Sequence, residues 1–171
     1  MTRFFAFCLA SLLIAYSGAH AETPNIQAPS PLIHLADNLD EADQLGWCID
    51  TQGRGFGEFL HAHSCKPDGG DVQFSFSADT GLIRSVAYDN YCMVYDPSQA
   101  SPLGLVICDG THEGQVFEHN EAGEITLTSD QSLCLVVGSK SASAGPFMSR
   151  GLDMQPCADV PDAQKLWNVL P

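Results

Sequence analysis

The strongest constraint on the fold of this 171-residue chain is a cysteine-centred pattern that occurs three times. Aligned on Cys48, Cys92 and Cys134, the three units are offset by 44 and 42 residues. In each unit a second cysteine follows after 17, 16 or 23 residues, and an aromatic residue follows 9 or 10 residues later. A period in the low forties that preserves several positions indicates an internal repeat. The chain is therefore expected to fold as three copies of one unit.

The three units share columns of apolar and aromatic residues at fixed distances from their cysteines. One column directly precedes the first cysteine, one directly follows it, one lies nine residues before it, and an aromatic column follows the second cysteine. In that order the columns are Trp47, Tyr91 and Leu133; Ile49, Met93 and Leu135; Leu39, Ile83 and Ile125; and Phe74, Phe117 and Trp167. A single unit is too small to bury its own apolar face, so the columns predict one shared core.

Short runs rich in β-branched and aromatic residues, separated by Gly, Pro, Asp and Asn, predict strands of about five residues. Examples are WCIDT, VQFSF, YCMVY and LGLVIC. Beyond residue 21 the sequence does not sustain a helical apolar period over the ~11 residues that such a prediction requires. With about four strands in each unit, the pattern predicts an all-β protein whose three units close one three-fold barrel.

Residues 1–21 have the parts of a secretory signal peptide. Arg3 precedes an uncharged apolar run, and Ala19-His20-Ala21 forms an Ala-x-Ala cleavage site. The apolar run is shorter than the roughly 20 residues of a membrane-spanning helix, so the protein is predicted to be secreted or periplasmic, without membrane insertion. Residues 22–36 carry three of the ten prolines and predict a linker or N-terminal arm whose end can join the first strand.

Six of the seven cysteines lie after the signal peptide, and an even number in an exported chain predicts a disulfide framework. Pairing within each unit keeps the three units equivalent, whereas pairing between units does not. The predicted pairs are Cys48 with Cys65, Cys92 with Cys108, and Cys134 with Cys157. Because all these thiols are then bridged, no cysteine nucleophile is expected.

Loss of the signal peptide leaves a strongly acidic chain. Only one of the 7 basic residues, Arg3, is removed, so 6 Lys and Arg face 21 Asp and Glu and the net charge is −15. A surface of this sign repels the phosphates of nucleic acids and the headgroups of anionic membranes. Nucleic acid is therefore excluded as a predicted partner.

The repeats resemble those of ricin-B-type (Gln-x-Trp) lectins, in which Cys-Leu-Asp precedes a second cysteine and a Gln-x-Trp element. The first element is matched by Cys48-Ile49-Asp50, Cys92-Met93-Val94 and Cys134-Leu135-Val136. The second is matched well by Gln115-Val116-Phe117, loosely by Val72-Gln73-Phe74, and in its aromatic residue alone by Lys165-Leu166-Trp167. The resemblance covers residues 37–171 and implies a β-trefoil domain with three intra-unit disulfides and shallow sugar pockets, at most one in each unit.

An active unit of this family resembles a clamp around a sugar. An Asp two residues after the first cysteine accepts hydrogen bonds from hydroxyls, an aromatic residue two before the second cysteine stacks on the sugar, and an Asn before the Gln-x-Trp element adds a polar contact. Unit one has Asp50, His63 and Asp71 at these positions, whereas units two and three have valine in place of the Asp. The resemblance therefore implies that unit one binds a glycan or polysaccharide through Asp50, His63, Asp71 and Gln73.

Alternative interpretations of these residues stay open at this point. Asp50 suits a turn acid beside Gly53, and Gln73 and Gln115 suit scaffold residues that hold a loop. The valines at the Asp position also suit a trefoil that has lost sugar binding and contacts a protein partner, as an inhibitor, a subunit or a scaffold.

Neither an enzyme nor a cofactor is predicted. His61 and His63 have a spacing that suits a metal, but no third ligand lies at a diagnostic distance, so no metal site is assigned. Glycoside hydrolysis needs a specific pair of carboxylates, and the 21 acids include no pairing motif. The glycine-rich run at 53–57 precedes no predicted helix and so differs from a phosphate-binding loop.

Overall fold

The structure, a computed structural model, describes residues 22–171, so the predicted signal peptide lies outside the described residues. Its strands fall into three sets of four. Unit one contains β1 (Leu32–Leu35), β2 (Trp47–Thr51), β3 (Leu60–Ser64) and β4 (Phe74–Ser77). Unit two contains β5 (Leu82–Ser85), β6 (Tyr91–Tyr95), β7 (Leu103–Ile107) and β8 (Phe117–His119). Unit three contains β9 (Ile125–Leu127), β10 (Asp130–Ala144), β11 (Phe147–Pro156) and β12 (Trp167–Leu170). Short 3-10 helices occupy Gly70–Val72, Glu113–Gln115, Cys157–Asp159 and Asp162–Gln164.

The strands form two antiparallel sheets that together make a β-trefoil. One sheet has the order β12-β1-β2-β3-β11-β10-β9-β8, and the other has the order β4-β5-β6-β7. The first and last strands pair, with Leu32 opposite Leu170 and Leu35 opposite Trp167. The predicted fold class, three repeats of about four strands with one disulfide each, is confirmed.

The backbone register repeats in each unit. On the preceding strand, the residues opposite the first cysteines are His34, Arg84 and Thr126. On the following strand, the residues opposite the same cysteines are His63, Val106 and Gln155. Because register fixes which side chains share a face, equivalent positions in the three units occupy equivalent places.

The core consists largely of the columns that the sequence predicts. The residues that follow the first cysteines, Ile49, Met93 and Leu135, are all 0% exposed, and the aromatic column Phe74, Phe117 and Trp167 is at most 2% exposed. The buried indole of Trp167 donates from Nε1 to the Leu135 carbonyl at 2.9 Å, so its polar atom is satisfied. Each such side chain stabilises the fold by about 2 kcal/mol through burial.

The three predicted disulfides are present: Cys48–Cys65, Cys92–Cys108 and Cys134–Cys157. They close loops with sequence separations of 17, 16 and 23 residues. Loops of this length restrict the unfolded chain and stabilise the fold by about 3 kcal/mol each.

The alignment of Leu39 with Ile83 is wrong. The structure has Ile33 of β1 at this place, directly before the residue that pairs with Cys48, and Ile33 is 0% exposed. Ile33 precedes Cys48 by 15 residues, whereas Ile83 precedes Cys92 by only 9. Unit one therefore has an insertion between β1 and β2 that shifts the column out of the register seen in the sequence.

The inserted β1–β2 loop, 36–46, is held by a buried carboxylate. Glu41 is 3% exposed and accepts hydrogen bonds from the Ser64 hydroxyl at 2.8 Å and from the Leu45 amide at 2.6 Å. Leu39 itself has a φ of 49° in this loop and packs against the edge of the core.

Strand β1 lies within residues 22–36, the segment predicted as a linker or arm. Its pairing with β2 and β12 places this end of the segment in the sheet, as the sequence allows. The strands therefore begin at Leu32 rather than after residue 36.

Unit three departs from the prediction of five-residue strands. β10 and β11 have 15 and 10 residues and pair out to Ala144 and Phe147. Their tip, the unit-three hairpin tip (144–147), reaches unit one, where Ser149 of β11 lies opposite His63 of β3. The polar region around Ser139 is therefore strand.

Among residues 22–171, no helix is both long and apolar enough to cross a membrane.

Candidate functional site

An open cavity of about 350 Å³ lies on unit one, on the side of β2 and β3 that faces away from the core. We call it the unit-one cavity. Its polar lining comes from β2, β3 and their connections: Asp50, Thr51, Arg54, His61, His63 and Lys66. The unit-three hairpin tip supplies the remaining wall, including the aromatic ring of Phe147.

Strand alternation explains why these side chains meet. Asp50 lies opposite His61, and Cys48 lies opposite His63. Side chains two residues apart on a strand share a face, so Asp50, His61 and His63 all project away from the barrel. Their neighbours Ile49 and Ala62 project into the core, where both are 0% exposed.

Lys66 joins two of the predicted site residues. Its Nζ lies 2.8 Å from Asp50 Oδ2 and 2.7 Å from Asp71 Oδ1. The Asp50 side chain is only 1% exposed, whereas those of Lys66 and Asp71 are 21% and 23% exposed. The ammonium thus neutralises a buried carboxylate from the direction of solvent.

Asp50 and Lys66 each stabilise the charged form of the other. Burial alone would raise the pKa of Asp50, but the neighbouring His61 and Lys66 outweigh burial and hold this pKa below its ordinary value. Burial alone would lower the pKa of Lys66, but its bonds to Asp50 and Asp71 raise it. Both groups are therefore charged at neutral pH.

His63 is in a less favourable place for a charge. Burial lowers its pKa below the ordinary value of 6.5, although its bond to the Ser64 carbonyl, 3.0 Å from Nδ1, opposes the shift. Its ring packs edge-on against Phe147, with centroids 5.6 Å apart. Neutral His63 therefore offers a flat, mainly apolar surface beside a second ring.

Three polar atoms on residues that line the cavity are buried and have no hydrogen-bond partner within the described protein. They are Asp50 Oδ1, Thr51 Oγ1 and His61 Nε2. The His61 nitrogen lies 3.7 Å from Asp50 Oδ2, which is too far for a hydrogen bond. Buried polar groups in folded proteins are nearly always bonded, so such a concentration in one place marks a site where a polar ligand would be stabilised.

The structure brings together some of the residues predicted to bind sugar. Asp50 and His63 line the cavity, while Asp71 lies behind Lys66 and contacts the cavity only through it. Gln73 lies elsewhere. Its Oε1 accepts from the Gly70 amide at 3.0 Å, and its Nε2 donates to the Pro29 and Ser30 carbonyls at 3.2 and 3.1 Å.

The polar atoms of Gln73 are therefore used to hold the N-terminal arm. In unit two, Gln115 does similar work, because it accepts from the Asp109 amide and donates to the Ile107 carbonyl. In unit three, Lys165 donates to the Cys157 carbonyl. The element before the aromatic column thus ties down a connection in every unit.

Sequence reasoning missed Arg54, Lys66 and Phe147 as cavity residues, and it weighed His61 only as a metal ligand. Lys66 directly follows Cys65, the partner of Cys48 in the predicted disulfide. A lysine at this place in the sequence was a signal that a cation lies near Asp50. For Phe147 the only signal was the longer separation of cysteines in unit three, 23 residues against 16 and 17. That excess indicates extra residues but not which unit they contact.

No metal centre is evident among the described residues. The one cluster with ligand atoms close together is Glu124 with Cys134 and Cys157, and these two cysteines form a disulfide rather than offering thiolates. His61 and His63 have ring centroids 5.4 Å apart, with Nδ1 of His63 already bonded to Ser64.

The corresponding surface of unit two is different in chemistry. Val94 and Val106 replace Asp50 and His63 and line a cavity with Phe59 and the acids Glu58 and Asp96. Exposed apolar side chains surround it: Phe59 is 42% exposed, Val106 41% and Ile107 54%.

Comparison with known proteins supports the fold. No protein-family model and no curated protein sequence matches the chain. Among solved structures, an agglutinin from Abrus precatorius is similar with a TM-score of 0.56 and 16% identity, over 84% of this chain and 48% of its own. A crystal structure of GalNAc-T7 with UDP, GalNAc and Mn²⁺ gives 0.51 and 18% identity, over 72% and 20%. The Haemophilus ducreyi cytolethal distending toxin gives 0.50 and 14% identity, over 95% of each chain.

These identities are low and show the fold alone. The chain spans about half of the agglutinin chain and a fifth of the GalNAc-T7 chain. The likenesses agree with a β-trefoil fold.

Proposed function

We propose that the protein is an exported carbohydrate-binding module whose sugar site is the unit-one cavity. The observation that carries this proposal is the pair of unpaired buried atoms, Asp50 Oδ1 and His61 Nε2, on outward-facing residues that line a cavity walled by Phe147. A pyranose presents hydroxyls that both donate and accept hydrogen bonds and an apolar face of C–H groups that suits an aromatic ring. The cavity offers partners for both.

Lys66 determines how a sugar reaches Asp50. The carboxylate is covered in the structure, but Lys66 also bonds to Asp71 at 2.7 Å. A sugar hydroxyl that displaces Lys66 from Asp50 can donate to the carboxylate while the ammonium keeps its second partner. Asp71 thus acts in the proposal as the residue that retains Lys66, and Asp50 and His61 act as the direct polar contacts.

The stacking surface comes from two units. His63 of unit one and Phe147 of unit three meet at 5.6 Å and form one corner of the cavity. The relatives in fold include an agglutinin and a protein crystallised with GalNAc, which supports a carbohydrate as the class of ligand. Three disulfides suit an oxidising compartment outside the cytoplasm, which supports export.

A glycan panel followed by NMR titration of the mature chain tests the proposal. Sugar binding should shift amide resonances of β2, β3 and the unit-three hairpin tip, and Asp50→Ala should abolish these shifts. Val94→Ala, the change at the equivalent position of unit two, is the matched control and should leave binding intact. Undiminished binding by a folded Asp50→Ala variant would exclude this cavity as the site.

A second candidate function, contact with a protein partner, is favoured by the exposed aromatic cluster at unit two. Phe56 is 45% exposed and packs on Tyr88 and Tyr91 at centroid distances of 5.1 and 4.7 Å, beside the exposed Ile107. A photo-crosslinking residue at position 107 in the exported protein should then join one discrete protein. The same residue at position 84 serves as the control, and equal labelling at both positions would count against this function.

A further inference from the structure

The unit-one cavity differs in charge from the rest of this acidic molecule. Its lining includes two cations, Arg54 and Lys66, and one carboxylate, Asp50, and Asp71, bonded to Lys66, brings the sum of these four charges to zero when the histidines are neutral. Four other cavities on the described surface are lined by one or two carboxylates and by no lysine or arginine. Two of the six basic residues that remain after Arg3 is removed thus meet in one place.

The single carboxylate is also the least accessible part of the lining. The Asp50 side chain is 1% exposed and lies 2.8 Å from the Lys66 ammonium. An ammonium has three N–H donors, and Asp50 and Asp71 occupy two of those of Lys66. The third can donate to a ligand, so Arg54 and Lys66 both offer donors to an incoming molecule.

Arg54 adds a charge that the rest of the protein does not balance. It is exposed and forms no ion pair within residues 22–171, in contrast to Lys66, Arg150 and Lys165. It stands between Gly53 and Gly55, which have φ values of 99° and 77°, at the mouth of the cavity. A guanidinium matches the two oxygens of a carboxylate with parallel hydrogen bonds.

The net charge of −15 does not prevent an anion from binding here. At physiological ionic strength, charges separated by more than about 8 Å are largely screened. The local charges of Arg54, Lys66, Asp50 and Asp71 therefore decide the preference of the site, and among these four Arg54 alone has no ion-pair partner within the described residues. The acids elsewhere mainly slow the approach.

We infer that the ligand of the unit-one cavity is an acidic sugar, with its carboxylate between Arg54 and the free N–H of Lys66 and its ring against Phe147. The inference rests on the proposed carbohydrate function and specifies the class of sugar. Uronic acids and sialic acids share this chemistry, since both join a carboxylate to a pyranose ring.

Matched pairs of sugars test the inference by NMR titration of the mature chain. Galactose is compared with galacturonic acid, glucose with glucuronic acid, and lactose with 3′-sialyllactose, so that each pair separates the carboxylate from the rest of the ligand. The acidic member should bind about tenfold more tightly, and this advantage should shrink as NaCl is raised from 0.05 to 0.5 M. The uronic and sialic arms identify which acidic sugar the site prefers.

Arg54→Gln should bring the ratio of the affinities for the acidic and the neutral member of each pair close to one. Arg84→Gln removes the same charge from β5, away from the cavity, and should change neither affinity. Equal or tighter binding of the neutral sugars in the unit-one cavity would overturn the acidic class and keep the carbohydrate function. Absence of shifts in the cavity with every sugar at 20 mM would overturn both.

Discussion

Units one and two use equivalent strands to build surfaces that differ in the polarity of two outward-facing residues. At the two positions that face away from the core beside the disulfide, unit one has Asp50 and His63 where unit two has Val94 and Val106. The cation that stabilises Asp50 also has no counterpart, because the residue after the second cysteine is Lys66 in unit one and the exposed Asp109 in unit two. At this position a buried acid is thus present only in the unit that also has its partner cation, so the polar surface of unit one changes as a set.

Removal of Lys66 should give the largest effect on stability. Lys66→Met leaves the carboxylate of Asp50 buried without its ion pair and should lower the free energy of unfolding by about 4 kcal/mol. Lys140→Met, at an exposed lysine, is the control and should cost almost nothing. Urea denaturation of the mature chain measures both.

The same measurement can be made on a unit one that carries the valine of unit two at the Asp50 position. Asp50→Val combined with Lys66→Met replaces the ion pair by apolar groups and should recover most of the lost stability. A double variant as unstable as Lys66→Met alone would mean that the charge of Asp50 is not the cause.

The disulfides should contribute equally to stability in the two units, unlike the surface residues. Replacing both cysteines of Cys48–Cys65 or of Cys92–Cys108 by serine should cost about 3 kcal/mol in either case, because the loops have nearly the same length. Sugar binding should be lost only with the unit-one pair, when both variants are compared at a temperature where they remain folded. Undiminished binding by the Cys48–Cys65 variant would place the site outside unit one.

Phe147→Ala should weaken glycan binding about fivefold, since stacking on an aromatic ring contributes about 1 kcal/mol. Phe59→Ala removes the exposed ring beside the unit-two cavity and is the matched control. Titration calorimetry or NMR gives both affinities. A greater loss of affinity with Phe59→Ala would place the stacking contact at the cavity lined by Val94 and Val106 instead.

The smallest expected effect is a dependence of stability on pH that unit two lacks. His63 has a lowered pKa, so the unfolded chain binds more protons below about pH 6.5, and stability should fall as pH drops from 7.5 to 5.5. Burial is the main cause of the lowered pKa of His63; among its neighbours, Asp50 favours protonation, whereas Lys66 and His61 disfavour it. His63→Val, which introduces the unit-two residue, should reduce this slope in denaturation experiments at the two pH values. His34, whose pKa is also lowered by burial, should preserve a part of it. An unchanged slope would exclude His63 as its source.

The fold was predictable because all three units contain the same columns of apolar and aromatic residues. A residue such as Met93, or the aromatic Phe117, is required in every unit by the shared core, so comparison within the chain is enough to find it. The error at Leu39 has the same origin, since an insertion in one unit shifts only that copy and leaves no internal signal. Ile33 takes the place in the barrel because β1 must pair with both β2 and β12.

The residues of the candidate site were predictable only where a single unit supplies them. Asp50 and His63 follow from their spacing to the cysteines, and the structure places both on one cavity. Phe147 comes from another unit, and its contact with His63 depends on the pairing of β3 with β11, which local pattern does not specify. Gln73 was assigned by its element, but its two polar ends are bonded to backbone around the N-terminal arm.

The unit-three hairpin reaches unit one from a distant part of the chain. Next to its tip, the Met148 amide donates to the Ser64 hydroxyl, 84 residues away in sequence. None of the residues at this tip belongs to the columns that hold the barrel. The length and sequence of the tip can therefore differ among related trefoils without a change in those columns. Exchange of the tip between related trefoils would then alter one wall of the unit-one cavity while the shared core stays constant.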